Sequence, residues 1–411
     1  MTNEIKKVPE LRFPEFQKNW ETIILDEVTT KVGSGKTPSG GSSVYLKYGI
    51  PFLRSQNIHN GNLDLNELVY IDENTDESMK NSRTYYGDIL LNITGASIGR
   101  STVNTMKSSY ANLNQHVCII RLKESYDFNF VGQYLISQKG QKKIFMAQSG
   151  GSREGLNFKE IKKIKFTTPN DLKEQQKIGG FFSKLDRQIE LEEQKLEKLE
   201  EQKKGYMQQI FSKELRFKDE NGDDYPEWKN TNFNYFMREP NKLEKGIDLH
   251  KDQLLTVKLQ GNGVCKANSN RALKMGATVY YKRYAGQFIY GKQNFFNGAF
   301  GIVPESLNYF YSSGDVPALD IDYNIITSNY LINYISRKEY YKKKEAFSTG
   351  TGSKRIHEDT LLGFDIKLPS LEEQKKIGKF FSKLDNFIEN QSKKIDLLKR
   401  RKQGFLQKMF V

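Results

Sequence analysis

The run Gly33-Ser34-Gly35-Lys36-Thr37 ends as a phosphate-binding loop ends, in Gly-Lys-Thr. Such a loop wraps phosphates in backbone amides and needs another glycine five positions before the Gly of the Gly-Lys pair. That position is Thr30, and Pro38-Ser39-Gly40-Gly41 follows where a helix would have to start. The spacing therefore predicts a flexible basic loop, with Lys36 free to meet a phosphate, and no nucleotide site. Metal chemistry is less supported still: His59, His116, His250 and His357 are scattered and form no pair at ligand spacing. The Gly-rich stretch Leu259-Gln260-Gly261-Asn262-Gly263 lacks the third glycine of a dinucleotide fingerprint and reads as a loop, carrying Gln260 beside Lys258. With no nucleophile elbow and no acid pair supported by a lysine, a chain without intrinsic catalysis or metal is expected.

Residues that could read nucleic acid are better represented. Tyr280-Tyr281-Lys282-Arg283-Tyr284 and Tyr290-Gly291-Lys292-Gln293-Asn294-Phe295-Phe296 interleave cations, amides and rings, and Arg54-Ser55-Gln56-Asn57 follows an apolar run. Arginine, glutamine and asparagine are the side chains that bond bidentately to guanine and adenine edges in the major groove. Ser152 and Arg153, and again Lys354 and Arg355, stand in Gly/Ser turns suited to phosphate contact. The whole chain agrees in sign. Its 64 Lys+Arg against 50 Asp+Glu give +14, with a pI near 9.3, and neutralised phosphates release condensed counterions.

The elements that must hold these residues are announced by a repeat. Leu172 to Phe211 aligns with Leu371 to Phe410 without a gap, and 20 of the 40 pairs are identical. Each copy opens on a capping signal, Asp171-x-x-Glu174 and the capping box Ser370-x-x-Glu373. Apolar residues then recur at three, four and seven: Ile178, Phe181, Phe182, Leu185, Ile189 and Leu199 in one, Ile377, Phe380, Phe381, Leu384, Ile388 and Leu398 in the other. This is a coiled-coil seam. Forty residues make a rod of roughly 60 Å, and two rods with one stripe are natural partners, antiparallel by preference. That arrangement would relate the two globular domains by an approximate two-fold axis. A shorter repeat precedes each domain, Glu10-Leu11-Arg12-Phe13 returning as Glu214-Leu215-Arg216-Phe217, with Pro14-Glu15-Phe16 echoed by Pro226-Glu227-Trp228.

The expected organisation is α+β: a first domain over 1–170 with a lead-in segment 9–20, a helical region 171–212, a second domain over 213–369 with a lead-in segment 213–228, and a helical region 370–411. Short β-type runs are expected at Ile50–Leu53, Asp88–Leu91 and His116–Ile120, and at Leu254–Val257, Thr278–Tyr281 and Gln287–Tyr290. One helix per domain is expected to reach Ala147 and Ala346. No apolar run approaches the ~20 residues of a membrane span. Cys118 and Cys265, one per half, read as reduced, half-buried thiols, and a cytoplasmic location is expected.

The layout resembles the specificity subunits of type I restriction-modification enzymes over nearly the whole chain. The resemblance rests on the repeated Glu-Gln-x-Lys-Ile-Gly-x-Phe-Phe-Ser-Lys-Leu-Asp helix and the Pro-Glu-aromatic lead-in. It also rests on Gly49-Ile50-Pro51-Phe52-Leu53-Arg54, Gly87-Asp88-Ile89-Leu90-Leu91, Gly95-Ala96-Ser97-Ile98-Gly99-Arg100 and Asn114-Gln115. It implies two target recognition domains, each reading half of a bipartite double-stranded DNA site, with Arg100 and Gln115 among the DNA-facing residues. It further implies two helices that set the spacer and dock two methyltransferase subunits, and motor-nuclease subunits that join them. S-adenosylmethionine, ATP and Mg²⁺ would then be bound by those partners and no cofactor by this chain. The competing expectation is a coiled-coil protein that binds nucleic acid without sequence preference.

Overall fold

The computed structural model describes residues 8–107, 109–148, 155–267, 278–350 and 353–411. The two long helices run Leu172–Ser212 and Leu371–Met409. They are not domains of their own. The chain divides into two compact units, one of residues 1–195 and 392–411 and the other of residues 196–391. Each unit therefore holds the start of one long helix and the end of the other.

In the first unit, strand Glu21–Ile24 pairs antiparallel with Lys165–Thr168 and closes the domain beside the helix start. A four-stranded antiparallel sheet orders Thr29–Ser34, Val117–Leu122, Ile89–Asn92 and Ser101–Val103. A second sheet orders Val69–Ile71, Ile50–Leu53, Ala111–Leu113 and Arg83–Thr84, its two central strands parallel. The sheets bury apolar residues on both faces, which is why Ile89-Leu90-Leu91 and Val117 to Ile120 read as unbroken apolar runs. Two helices, Phe128–Ile136 and Gln138–Met146, stand where one was expected. Ser137 ends the first and caps the second through Gly140 N–H at 3.1 Å. A Cβ at Gly140 would lie 2.0 Å from the Tyr134 carbonyl, so the tight break requires glycine there.

The second unit repeats the frame with a different interior. Lys229–Asn232 pairs with Asp365–Leu368 in the matching register, and one sheet orders Met237–Arg238, Ala318–Ile321, Phe288–Tyr290 and Phe300–Ile302. The remaining strands form two-stranded ribbons, Leu255–Val257 with Val264–Lys266 and Tyr280–Lys282 with Tyr311–Ser313. Helices Ser328–Ile335 and Lys338–Lys343 follow, again broken where a single helix was expected.

Within each unit the helix segments run antiparallel. In the first, Asp186, Glu193 and Glu192 pair with Lys402, Lys399 and Lys394, and Phe181 meets Phe405 edge-on at 5.1 Å. In the second, Lys203 pairs with Asp385, and Tyr206 meets Phe380 edge-on at 5.1 Å. The apolar stripe has two duties, however. Ile178 and Phe182, like Ile377 and Phe381, are buried in the core of their own globular unit, against the incoming end of the other helix. Phe182 stacks on Phe410 at 5.8 Å and Phe381 on Phe211 at 6.0 Å. Phe181, Phe380 and Leu384 flank these cores half-buried, Leu185 is half-buried, Ile189 and Leu398 are buried along the helix pair, and Leu199 and Ile388 are half-exposed.

The capping signals conceal a different role. Ser370 does cap, accepting from Glu373 N–H at 3.3 Å, and Asp171 accepts from Lys173 N–H at 2.9 Å. The carboxylates of Glu174 and Glu373 instead turn inward, fully buried, and a buried charge requires a partner. Glu174 accepts from Arg12 at 2.7 and 2.8 Å and from the Trp20 indole at 3.1 Å. Glu373 accepts from Arg216 at 3.2 and 2.9 Å and from the Trp228 indole at 2.9 Å. The short lead-in repeat is thereby explained, since Arg12 and Arg216 are its shared cations. Trp228 corresponds in role to Trp20 and not to Phe16, which corrects the Pro-Glu-aromatic pairing. One residue on, Gln175 and Gln374 each donate to the proline carbonyl before the helix and accept a backbone N–H from the helix-capping residue Asp127 or Thr327.

Gly179 lies where that frame is tightest. A Cβ there would meet Asp127 Oδ1 at 2.3 Å and Phe130 N at 2.8 Å, whereas Gly180 beside it faces open space. Gly179→Ala is therefore expected to lower stability by about 1–3 kcal/mol through overpacking. Gly180→Ala should raise it by about 0.5–1 kcal/mol through helix propensity. Urea denaturation of the two variants checks the contrast, and equal effects would refute this account of Gly179.

Candidate nucleic-acid interface

Four loops of the first unit are stitched together at one end of its sheets. Asn114 N–H donates to the Leu53 carbonyl and Lys36 N–H to the Leu113 carbonyl, both at 2.9 Å. Asn92, fully buried on its strand, donates its amide to the Ser55 carbonyl at 2.9 Å and to Ser97 Oγ at 3.1 Å. Ile93 N–H reaches the His116 carbonyl at 3.0 Å, and Thr94 Oγ1 lies 2.6 Å from His116 Nδ1. This frame brings together Lys36, Arg54, Gln56, Arg100 and Gln115, all exposed except Arg54. The Arg54 guanidinium lies over the Tyr45 ring at 5.6 Å, which holds the arginine while leaving donors available. Ser152 and Arg153 lie outside the described residues, though Gly155, just after them, bridges to Thr94 in the same cluster.

Asn57 does not belong to the reading surface. It is buried, its Oδ1 accepts from Arg54 N–H at 2.9 Å, and its amide donates to the Asp64 carbonyl at 3.0 Å. Its polar groups are used in shaping the loop. The phosphate-loop look-alike is also corrected. Gly33 and Ser34 lie in an edge strand, not a flexible loop, and a Cβ at Gly35 would stand 2.0 Å from the Leu113 carbonyl. Gly35 is there so that two backbones can pass closely.

The second unit has a comparable cluster. Gln260 N–H donates to the Asn297 carbonyl at 2.8 Å, Lys292 N–H to the Asp315 carbonyl and Ile356 N–H to the Lys292 carbonyl, each at 2.9 Å. Lys258, Gln260, Gln293, Asn294 and Lys354 are exposed there, and Lys292 and Arg355 half-exposed. Leu259, Gln293, Asn294 and Asp315 border a recess of about 220 Å³. Lys292, Lys354 and Arg355 are paired with Glu358, Glu345 and Asp315 at 2.9, 2.9 and 3.3 Å. A polyanion would exchange with Glu345 and Asp315 at small cost, because exposed ion pairs are worth little; the Lys292–Glu358 pair is half-buried and holds Lys292 more firmly.

The basic-aromatic stretch at 280–284 divides. Lys282 sits on a separate ribbon, bonded to Glu244 at 3.0 Å, which raises the lysine's pKa. Arg283 is buried, donating to Ser312 Oγ at 2.7 Å and to the Val316 carbonyl at 3.2 Å, with its pKa pushed down to about 10 by burial. It ties two strands together and cannot reach a base.

Cys118 and Cys265 are free. Burial pushes the Cys118 thiol up to about 12, whereas Cys265 is half-exposed. Native protein at pH 8 is therefore expected to alkylate at Cys265 alone, with Cys118 labelling only after unfolding. Since the folded Cys118 pKa is raised, its contribution to stability is full below the unfolded value of roughly 8.5 and is lost as pH rises toward 12. Mass spectrometry of iodoacetamide-treated protein checks this, and native labelling of Cys118 would contradict it.

Among the described residues, no group of three or more His, Cys, Asp or Glu could hold a metal ion, and no helix is long and apolar enough to cross a membrane. The sequence profile of the type I restriction modification DNA specificity domain matches twice, over residues 17–201 and 211–400. A Methanocaldococcus jannaschii protein provisionally named as the specificity subunit of the type I restriction enzyme MjaX is 22% identical, the match covering 95% of this chain and 93% of that one. The specificity subunit of the MjaVIII enzyme from the same organism is 35% identical over 86 residues, 21% of this chain and 20% of its own. Among solved structures, the type I restriction-modification S subunit from M. genitalium superposes with a TM-score of 0.61 at 14% identity, covering 98% of this chain and 99% of that one. A chain from a study of complex assembly in a type I system gives 0.52 at 14%, covering 96% and 98%.

Proposed function

We propose, from the premise that this chain belongs to the type I restriction-modification DNA specificity family, that its two units each read one part of a bipartite double-stranded site. Sequence-specific DNA recognition is the role of the family, and catalysis lies with other subunits. The observation that carries the two-reader proposal is one frame with two interiors. The anchoring residues recur pair by pair, Glu174 with Glu373, Gln175 with Gln374, Trp20 with Trp228 and Phe410 with Phe211. The loops they support do not recur. Arg54, Gln56, Arg100 and Gln115 offer one pattern of donors and acceptors, and Lys258, Gln260, Gln293 and Asn294 offer another. Base-edge readout depends on that pattern, whereas Lys36, Lys354 and Arg355 supply sequence-independent phosphate contact.

In this proposal the repeated helices dock two methyltransferase subunits and fix the spacer between the half-sites, and motor-nuclease subunits join that assembly. S-adenosylmethionine, ATP and Mg²⁺ are bound by those partners. An adenine must leave the stack to be methylated, so a reader that holds the duplex beside each methyltransferase suffices. Co-expression with the methyltransferase subunit should give adenine methylation at a two-part motif with an unspecified spacer. Exchange of residues 20–170 for another such domain should alter one half of the motif only. A single contiguous motif, or a change in both halves, would refute the two-reader proposal. Competition of equal strength by any duplex would favour non-specific binding instead.

A further inference from the structure

Each unit carries an exposed apolar tip at the margin of its loop cluster. On helix Gln138–Met146, Gly140 and Ile144 face inward, and Gln141 donates to the Gly99 carbonyl at 2.9 Å, fixing the helix to the Gly95–Arg100 loop. The outward face carries Lys142, Lys143, Phe145 and Met146, the last two 71% and 68% exposed. In the second unit Phe347 is 56% exposed, and its ring lies 5.8 Å from Phe364 in the tilted orientation. The preceding helix supplies exposed Lys343 and also Lys342, whose Nζ donates to Asn297 Oδ1 at 2.8 Å inside that unit's loop cluster. The interiors of the two units differ, yet in both the apolar tip follows a lysine pair and precedes a basic Gly/Ser-rich stretch of the sequence.

We propose that Phe145 with Met146, and Phe347, are wedges that enter the DNA stack at the edge of each half-site and bend the duplex onto the reading loops. The proposal rests on the DNA-reading role given above. Single exposed apolar residues are ordinary, but an apolar pair set among cations and continuous with a polar reading surface fits a base step flanked by phosphates. Exposed lysines precede the tips, Lys142 and Lys143 in one unit and Lys342 and Lys343 in the other, and these suit phosphates better than an apolar protein face. The helix end also favours bases over phosphate, since its carbonyl dipoles repel anions, while the lysines hold the backbone on either side. Apolar wedges of this kind unstack one step and kink the duplex, and the bend admits further contacts.

The test uses the complex with its methyltransferase subunits and a duplex carrying the methylated motif, labelled with 2-aminopurine at successive positions and with a dye pair at its ends. Phe145→Ala with Met146→Ala, and separately Phe347→Ala, should leave subunit assembly and affinity for unrelated DNA unchanged, with the urea midpoint unmoved in the first variant and only slightly lowered in the second, whose ring touches Phe364. Affinity for the motif should fall about ten- to a hundredfold, the scale of one lost unstacking contact. The 2-aminopurine rise and the end-to-end approach seen with the unsubstituted complex should disappear, and Phe145→Trp should restore both. Unchanged emission and affinity would overturn the proposal, as would loss of a methyltransferase subunit, which would make the tips protein-docking patches. If the unsubstituted complex fails to prefer the motif, the DNA-reading role itself is what has failed.

Discussion

Phe211→Ala is expected to destabilise the second unit by about 3–5 kcal/mol, the range for truncating a buried phenylalanine. Its ring stacks on Phe381 at 6.0 Å and lies 5.3 Å from Tyr334, 5.9 Å from Tyr330 and 6.4 Å from Trp228. The Arg337 guanidinium sits 4.6 Å above it. No neighbour can fill the space without leaving its own contacts, so the cavity term should persist. Phe410→Ala is the counterpart in the first unit, where Phe130, Tyr134 and Phe182 surround the ring at 5.2, 5.8 and 5.8 Å. The chain has two tryptophans, Trp20 and Trp228, one in each core, so fluorescence in urea can report the units separately. Each substitution should shift its own unit's transition more than the other's. A loss below about 0.5 kcal/mol, the level of an ordinary surface change, would show that these rings are not core residues.

Glu373→Ala should cost about 1–3 kcal/mol, for an electrostatic reason. The substitution leaves the Trp228 indole without its acceptor, and it takes from the half-buried Arg216 guanidinium its one buried carboxylate, leaving it the Tyr225 and Pro226 carbonyls and the exposed Glu227. A donor left unsatisfied and a charge deprived of its buried partner are both destabilising. Charge alone is not the source of stability, because well-packed apolar replacements of a buried pair are often neutral. The double variant Arg216→Met/Glu373→Leu should therefore recover most of the loss, and raised salt should leave the difference nearly unchanged, since buried pairs are poorly screened. A double variant no better than Glu373→Ala would mean that the pair's geometry itself holds the lead-in segment against the helix.

The repeat made the modular plan legible, because identical residues at a constant offset must meet identical surroundings. The same pattern misdirected individual assignments. Ser370-x-x-Glu373 satisfies a capping box by spacing, and only tertiary contact shows its glutamate committed to Arg216. Tyr280-Tyr281-Lys282-Arg283-Tyr284 reads as a uniform basic-aromatic surface, but strand alternation sends Lys282 and Arg283 to opposite sides, so one pairs with Glu244 and the other is buried. Asn57 has the chemistry of a base reader and spends it on Arg54 and Asp64. Composition specifies what a side chain can bond to. Whether its bonding groups remain available is decided by neighbours distant in the chain. Trp20 and Trp228 each stand one residue before the first strand of their own domain, Glu21–Ile24 and Lys229–Asn232, which is the sequence signal that pairs them.

The completion of each core by a distant helix end also has a consequence in time. The first unit's core includes Leu406, Met409 and Phe410, more than two hundred residues beyond the strands they cover. At ribosomal speeds of about 5–20 residues per second, roughly 10–40 s separate the synthesis of Lys195 from that of Phe410. Throughout that interval the surfaces of Phe130, Tyr134 and Phe182 await their last neighbour, a window in which a chaperone, or another nascent chain offering the same phenylalanine, can compete for the place.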